Sequence, residues 1–122
     1  MGDPELLTML AAEAERRTPA MITGLEQLAA TGEKDSNRIE GLRIEAHGLQ
    51  GAALVVGQDR LANLAREIEE FLAGCKETGR LNPGAAATLV AAASAFNEGA
   101  EAAAEGVAEP SSVGESLEAL KD

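Results

Sequence analysis

Apolar residues recur at steps of three and four along most of the chain, which is the spacing of one face of an α-helix. The clearest apolar stripe lies in the centre of the chain and ends at Gly57. Other stripes follow Asp3-Pro4 and Asn82-Pro83, where a capping side chain and a proline at the first helical position begin a helix. The pattern predicts an all-α protein. The members of the central stripe are Ile39, Leu42, Ala46, Leu49, Ala53 and Val56.

Helix boundaries follow from capping residues, prolines and glycines. The first helix begins at Pro4 and its stripe continues to Gly32, but Thr18-Pro19 repeats the start signal, so the helix either restarts or kinks there. A polar loop follows. The next helix begins near Ser36 or Asn37, because Asn37 and Glu40 have the spacing of a capping box.

The second half of the chain contains two further helices and a different C-terminal segment. One helix runs from about Asp59 to Glu77, and the last long helix starts at Pro83. Short loops between helices are typical of an up-and-down four-helix bundle, with an extra N-terminal helix as the alternative. We expect residues 1–105 to form this bundle. Because proline, serine and glycine follow Gly106, we expect residues 106–122 to be an acidic, linker-like tail with one or two fraying turns.

Composition narrows the class of protein. Apolar residues make up 45% of the 122 positions, but only two are phenylalanine, which favours close helix packing. The net charge of −11 opposes binding to nucleic acid or to an anionic membrane surface. Cys75 is the single cysteine, so no intrachain disulfide or structural zinc site is expected. No membrane span or signal peptide is apparent, and we expect a cytoplasmic protein.

The candidate for chemistry is His47, the single histidine of the chain. Neutral imidazole is a good nucleophile near pH 7. Helical periodicity places His47 on the solvent side of its helix. A lone histidine there is usually an ordinary solvated residue, so periodicity alone leaves its role open. Its helical neighbours are Arg43, Ile44, Gly48, Gln50, Gly51 and Leu54. Ile44 and Leu54 give a small apolar rim, and Gly51 leaves a gap in the side-chain surface.

A longer motif changes this picture. The run Ala46-His47-Gly48-Leu49-Gln50-Gly51-Ala52-Ala53 is followed by Gly57 and by an amphipathic helix containing Leu61, Leu64, Ala65, Ile68 and Glu69. This string resembles the histidine phosphotransfer (HPt) family, in which Ala-His-x-Leu-Lys-Gly-x-Ala is usual. It is particularly similar to the phosphotransfer domain of CheA-type chemotaxis kinases, and Gly79-Arg80-Leu81-Asn82 also has a counterpart there.

The resemblance implies a role for each matching residue. His47 would accept and donate a phosphoryl group through Nε2. Glu69 would accept a hydrogen bond from Nδ1–H and so fix the tautomer of the ring. Gly51 would let a partner protein approach the imidazole. As an alternative, Glu69 is one of several acids on an ordinary solvated helix face.

Two positions depart from the family pattern. Gln50 stands where the family usually has a lysine, and a glutamine cannot neutralise a phosphoryl group. Arg43 on the same helix or Arg66 on the next helix is expected to compensate. Gly48 replaces a common serine or threonine, which is a milder change.

We therefore expect a phosphocarrier of a two-component pathway, either standing alone or part of a larger histidine kinase. No phosphate-binding loop is apparent, so a kinase catalytic domain with Mg-ATP, or a receiver domain with an aspartate and Mg²⁺, would supply the cofactors that the domain itself lacks. Two alternatives remain open. One is a helical module that docks receiver domains without phosphotransfer, which Gln50 favours; the other is a structural bundle in which His47 is incidental.

Overall fold

The computed structural model describes residues 3–121 and contains five helices: α1 (Pro4–Thr31), α2 (Ser36–Val55), α3 (Asp59–Cys75), α4 (Pro83–Glu105) and α5 (Ser111–Lys121). α1 packs against α2 and α4, and α3 packs against the same two helices, so the first four helices form a closed bundle. The prediction of an all-α bundle is confirmed. Residues 1, 2 and 122, at the ends of the two predicted segments, lie outside the described residues.

The core contains the apolar stripes that the sequence predicts. Ile39 and Leu49 of α2 are fully buried, as are Leu64 and Ile68 of α3 and Phe96 of α4. Burial of such side chains is the main favourable contribution to folding. The stripe of α2 therefore fixes which face of that helix turns inward, and the opposite face is left for solvent.

The first helix is continuous, so a restart at Pro19 and an extra N-terminal helix are wrong. α1 passes through Pro19 without interruption. Proline lacks the N–H that would bond the carbonyl of Glu15, and both residues lie on the exposed side, where water can bond that carbonyl. One residue earlier, the buried Thr18 hydroxyl donates to the carbonyl of Ala14 at 2.8 Å. The solvent-facing position of the proline explains why it is tolerated.

The start of α2 differs slightly from the capping box predicted at Asn37. The helix begins at Ser36, and the carboxylate of Asp35 accepts a hydrogen bond from the backbone N–H of Arg38 at 3.0 Å. Aspartate is a favoured N-cap because its side-chain oxygen satisfies a free N–H of the first turn. A glycine lies just beyond the end of each of α2 and α3. These glycines, Gly57 and Gly79, have φ angles of 74° and 68°. Such angles favour glycine.

The expectation of a linker-like tail after Gly106 is wrong for the described residues. Residues Ser111–Lys121 form α5, which packs against α3 and α4, and Val113 of this helix is fully buried. Gly99 of α4 permits the close approach, since a Cβ there would lie 2.6 Å from Leu61 and 3.0 Å from Val113. An ion pair between Arg60 and Glu109 at 2.9 Å holds the connection before α5.

Within residues 3–121, none of the helices is both long enough and apolar enough to cross a membrane.

Candidate functional site

His47 lies on the exposed face of α2, with 69% of its side chain accessible to solvent. The neighbouring Ala46 and Leu49 are fully buried, so the helix itself is firmly anchored in the core. The ring is therefore held by a rigid element, yet it is open to an approaching molecule. A reactive group on a packed helix is positioned more accurately than one on a loop.

The α3 side of the ring is occupied by Glu69. Its Oε1 lies 3.1 Å from Nδ1 of His47, and only 16% of the Glu69 side chain is exposed. A carboxylate accepts hydrogen bonds, so this contact favours the tautomer in which Nδ1 carries the proton. Nε2 then has a free lone pair. The structure thus brings together the two residues that the sequence singled out on different helices.

A second contact holds Glu69 in place. Arg43, one turn before His47 on α2, donates from Nη1 to Glu69 Oε2 at 2.7 Å. The same guanidinium donates from Nε and Nη2 to the two carboxylate oxygens of Glu40, at 2.8 and 2.9 Å. Hydrogen bonds to Glu40, and also the charge of Glu69, raise the pKa of Arg43 above its usual value. Arg43 therefore orients the acid that contacts the imidazole.

The network continues to the end of α3. Lys76 lies 3.1 Å from Glu40 Oε1, and hydrogen bonds from Arg43 and Lys76 lower the pKa of Glu40 to about 2. Charged groups thus alternate in sign from Lys76 through Glu40 and Arg43 to Glu69, which contacts His47. Such a network limits the positions that Glu69 can adopt.

The apolar rim predicted around the ring is exposed. Ile44 and Leu54, on either side of His47 along α2, each have 54% of their surface accessible. Val55 at the end of the helix is 77% exposed. Exposed apolar side chains around a polar group are typical of surfaces that bind other proteins.

The two glycines beside His47 differ. A Cβ on Gly51 would meet no atom within 4 Å, so the fold itself does not require glycine there. At Gly48, in contrast, a Cβ would lie 3.0 Å from Nη1 of Arg17, a residue of α1. The gap at Gly51 is open to solvent, whereas the gap at Gly48 is filled by a guanidinium group.

Arg17 of α1 reaches α2 next to His47, and the sequence analysis did not single it out. Its Nε donates to Glu13 at 2.9 Å and its Nη1 donates to Glu45 of α2 at 2.6 Å. The hydrogen bond to Glu13, followed by that to Glu45, raises the pKa of Arg17. The spacing of Glu13 and Arg17 in the sequence indicates a helical ion pair. It does not indicate which helix lies opposite.

The other predicted residues are less closely connected to the ring. Gln50 is half-buried on α2. Arg66 forms ion pairs with Glu70 at 2.9 Å and with Glu67 at 3.7 Å, on its own helix. It also lines a shallow cleft together with Lys121 of α5. The structure therefore places Arg66 toward α5, and its ion pairs do not include a residue that contacts His47.

Comparison with known proteins gives one family. The family model of the Hpt domain matches residues 5–121 of this sequence, which covers all five helices except the first residue of α1. No curated protein matches the chain significantly.

Proposed function

The chain belongs to the Hpt domain family, and on that premise we propose that His47 is the residue that carries the phosphoryl group. A member of this family is a phosphotransfer carrier in a phosphorelay. In our proposal, His47 receives the group from a histidine kinase or a receiver domain and passes it to the aspartate of a response regulator. Glu69 orients the ring during both steps.

The observation that carries this proposal is the contact between His47 Nδ1 and Glu69 at 3.1 Å on an otherwise exposed ring. In the proposed step the lone pair of Nε2 attacks phosphorus and forms the N–P bond, while the P–O bond to the donor breaks and its electrons leave with the donor oxygen. Nε2 carries no proton in this tautomer, so none has to be removed. The positive charge that develops on the ring is stabilised by the carboxylate of Glu69.

The chemistry that the bundle does not supply would come from its partner. Phosphoryl transfer depends mainly on positioning and on charge neutralisation by Mg²⁺. We propose that a kinase domain provides Mg-ATP, or that a receiver domain provides Mg²⁺ and the aspartate, and that the Hpt bundle needs no cofactor of its own. The exposed Ile44 and Leu54 and the opening at Gly51 form the contact surface for that partner.

The finer assignment of the pathway rests on the resemblance of the His47 motif. Because the run from Arg43 to Glu69 and the Gly79-Arg80-Leu81-Asn82 segment resemble the phosphotransfer domain of CheA-type kinases, we propose a role in chemotaxis-like signalling in the cytoplasm. In that case the donor is the catalytic domain of a larger kinase.

A second candidate is a module that binds receiver domains without phosphotransfer. Gln50 favours it, since a cation is usual at that position and a glutamine does not balance the charge of a phosphoryl group. In this alternative the surface around His47 binds, but the imidazole does not react.

The test is to load the protein with potassium phosphoramidate and then add, with Mg²⁺, each receiver domain encoded in the same genome. We expect acid-labile, alkali-stable phosphate on His47. In the presence of at least one receiver domain, His47 should lose this phosphate about tenfold faster than by spontaneous hydrolysis. His47→Gln should abolish labelling while circular dichroism shows unchanged helix content, because the side chain is exposed.

Two results would contradict the proposal. Labelling that persists in His47→Gln would mean that another residue carries the phosphate. If no receiver accelerates dephosphorylation, the carrier function fails, and binding that survives His47→Gln would then favour the docking module.

A further inference from the structure

The position of Arg17 suggests a role beyond linking two helices. This arginine projects from α1 onto the backbone of α2 immediately after His47, where Nη1 and Nη2 lie 3.0 and 3.4 Å from the position of a Cβ on Gly48. About a quarter of the Arg17 side chain is exposed. A cation is therefore fixed over the residue that follows the candidate phosphoacceptor, on a helix that the His47 motif does not include.

The orientation of the imidazole leaves Nε2 free for a phosphoryl group. α1 and α3 lie on the two flanks of α2, because the first four helices form a closed bundle. Nδ1 faces Glu69 on the α3 flank. Since the two ring nitrogens lie on different edges of an imidazole and the ring is largely exposed, Nε2 is turned away from Glu69 and toward solvent. A group attached to Nε2 thus extends from the exposed face of α2, next to the residue over which Arg17 lies.

We propose that Arg17 neutralises the phosphoryl group on Nε2 of His47. Arg17 thereby supplies the positive charge that Gln50 lacks. This inference rests on the proposed phosphocarrier function. It replaces the sequence-based expectation that Arg43 or Arg66 compensates for the missing lysine. An arginine suits the role because its planar guanidinium donates several hydrogen bonds in a geometry that matches phosphate oxygens.

The bonding of the three arginines distinguishes them. Arg43 uses Nε, Nη1 and Nη2 in bonds to Glu40 and Glu69, so its guanidinium is fully engaged in orienting the acid. Arg66 pairs with acids of its own helix near α5. In the part of the chain that the structure describes, the bonds of Arg17 use Nε and Nη1. Nη2 is the nitrogen left to donate to a phosphoryl oxygen.

The two acids that hold Arg17 support this arrangement. Glu13 on α1 and Glu45 on α2 fix the guanidinium over Gly48 before any phosphate is present. A pre-positioned cation needs little reorganisation when negative charge arrives. Glycine at position 48 leaves the space that the guanidinium occupies.

The experiment measures the phosphoryl group itself by phosphorus NMR, after loading the protein with potassium phosphoramidate. The charged groups nearest to His47 are Glu69 of α3, which contacts the ring, Arg43 of α2, which contacts Glu69, and the pair of Glu45 of α2 and Arg17 of α1 beside Gly48. A neighbouring cation lowers the second pKa of a phosphoryl group because it favours the dianion. We expect Arg17→Gln to raise that pKa by about 0.5 unit or more and to slow loading several-fold.

A matched control is provided by the neighbouring residue. Arg16 also pairs with Glu13, but its side chain is 68% exposed, and the atoms nearest to a Cβ on Gly48 all belong to Arg17. Arg16→Gln also removes one positive charge. We expect it to change the second pKa of the phosphoryl group by no more than about 0.1 unit, because solvent and salt screen the charge of Arg16. Arg17→Lys keeps the positive charge and should therefore keep the phosphoryl pKa close to that of the unaltered protein. It is the variant to use if Arg17→Gln disturbs the fold.

The outcomes separate this inference from the proposed function. If His47 accepts phosphate and Arg17→Gln shifts the pKa no more than Arg16→Gln, the role of Arg17 is overturned while the carrier function stands. If His47 in the unaltered protein is not labelled at all, the carrier function fails, and the role of Arg17 fails with it.

Discussion

The two flanks of His47 contain opposite charges held in different ways. On the α3 flank, the mostly buried carboxylate of Glu69 contacts the ring directly, and Arg43 offsets its charge. On the α1 flank, the guanidinium of Arg17 lies over the backbone at Gly48, and Glu13 and Glu45 offset its charge. Glu69 thus contacts the imidazole itself, whereas Arg17 contacts the backbone of the next residue, Gly48.

The packing of the two flanks differs as well. Large apolar side chains, among them Leu64 and Ile68 of α3, are buried in the core that α3 shares with α2. α1 and α2 instead approach each other through glycines: a Cβ on Gly24 would lie 3.0 Å from Leu42, and Gly48 receives Arg17. Because glycines give long side chains room, the α1 flank can accommodate a cation that a tightly filled interface would exclude.

The largest effect is expected when the negative charge of Glu69 is removed from the α3 flank. Glu69→Gln keeps a hydrogen-bond acceptor near Nδ1 but no longer stabilises the positive charge that develops on the ring. We expect the initial rate of loading from phosphoramidate to fall about tenfold or more, by analogy with other acids that orient a reactive histidine. The melting temperature should change little.

A matched variant on the same helix separates the loss of the contact with His47 from the general effect of removing a negative charge. Glu70→Gln removes a carboxylate that is 62% exposed and pairs with Arg66. It should load at the rate of the unaltered protein. Equal rates for Glu69→Gln and Glu70→Gln would show that the contact with His47 has no chemical role.

A second variant tests whether the α1 flank already supplies the cation. In the unaltered protein, Gln50→Lys should change the loading rate by about twofold or less, because Arg17 provides the charge. In an Arg17→Gln background the same substitution should restore most of the lost rate. The coupling is measured with a double-mutant cycle over the four proteins. An equal gain in both backgrounds would show that the two positions act independently.

The smallest expected effect concerns the outer part of the α3 network. The pKa of Glu40 is lowered to about 2 from an ordinary value of 4.5 by hydrogen bonds from Arg43 and Lys76. Its contribution to stability is therefore fully present above about pH 4.5 and is lost as the pH falls toward 2. The difference in unfolding free energy between the unaltered protein and Glu40→Gln should be constant from pH 7 to 5 and should shrink at pH 3.

This difference is measured by urea unfolding at each pH. It should be small even at pH 7, since a third of the Glu40 side chain is exposed and solvent screens its ion pairs. Glu101→Gln removes an exposed acid of α4 and serves as the control for the loss of one negative charge. A Glu40→Gln difference that does not decrease below pH 4.5 would contradict the role assigned to these hydrogen bonds.

The sequence predicted those features that depend on local spacing. The stripe of α2 determined its buried face and hence the exposure of His47, and the resemblance of the motif identified Glu69 as its partner. Arg17 was missed because its contact depends on how α1 and α2 align, and residues 31 positions apart carry no local signal for that alignment. For the same reason, the sequence did not show that Arg66 lies toward α5.

The C-terminal segment was misjudged for a different reason. Glycine, proline and serine between Gly106 and Gly114 are typical of a linker. Val113, Leu117 and Leu120 do have helical spacing and pack in or against the core, but their stripe spans only about two turns, and the site of Val113 depends on the space left by Gly99 of another helix. Pro19 was read as a break because the sequence alone does not show that it faces solvent.

The open position at Gly51 has a consequence for protein engineering. An alanine would fit there without any collision and would strengthen an exposed stretch of helix by about 0.5–1 kcal/mol. A redesign that optimises thermal stability would therefore choose this substitution early. It would place a methyl group beside the imidazole, and under the proposed function the gain in robustness would reduce the access of a visiting protein.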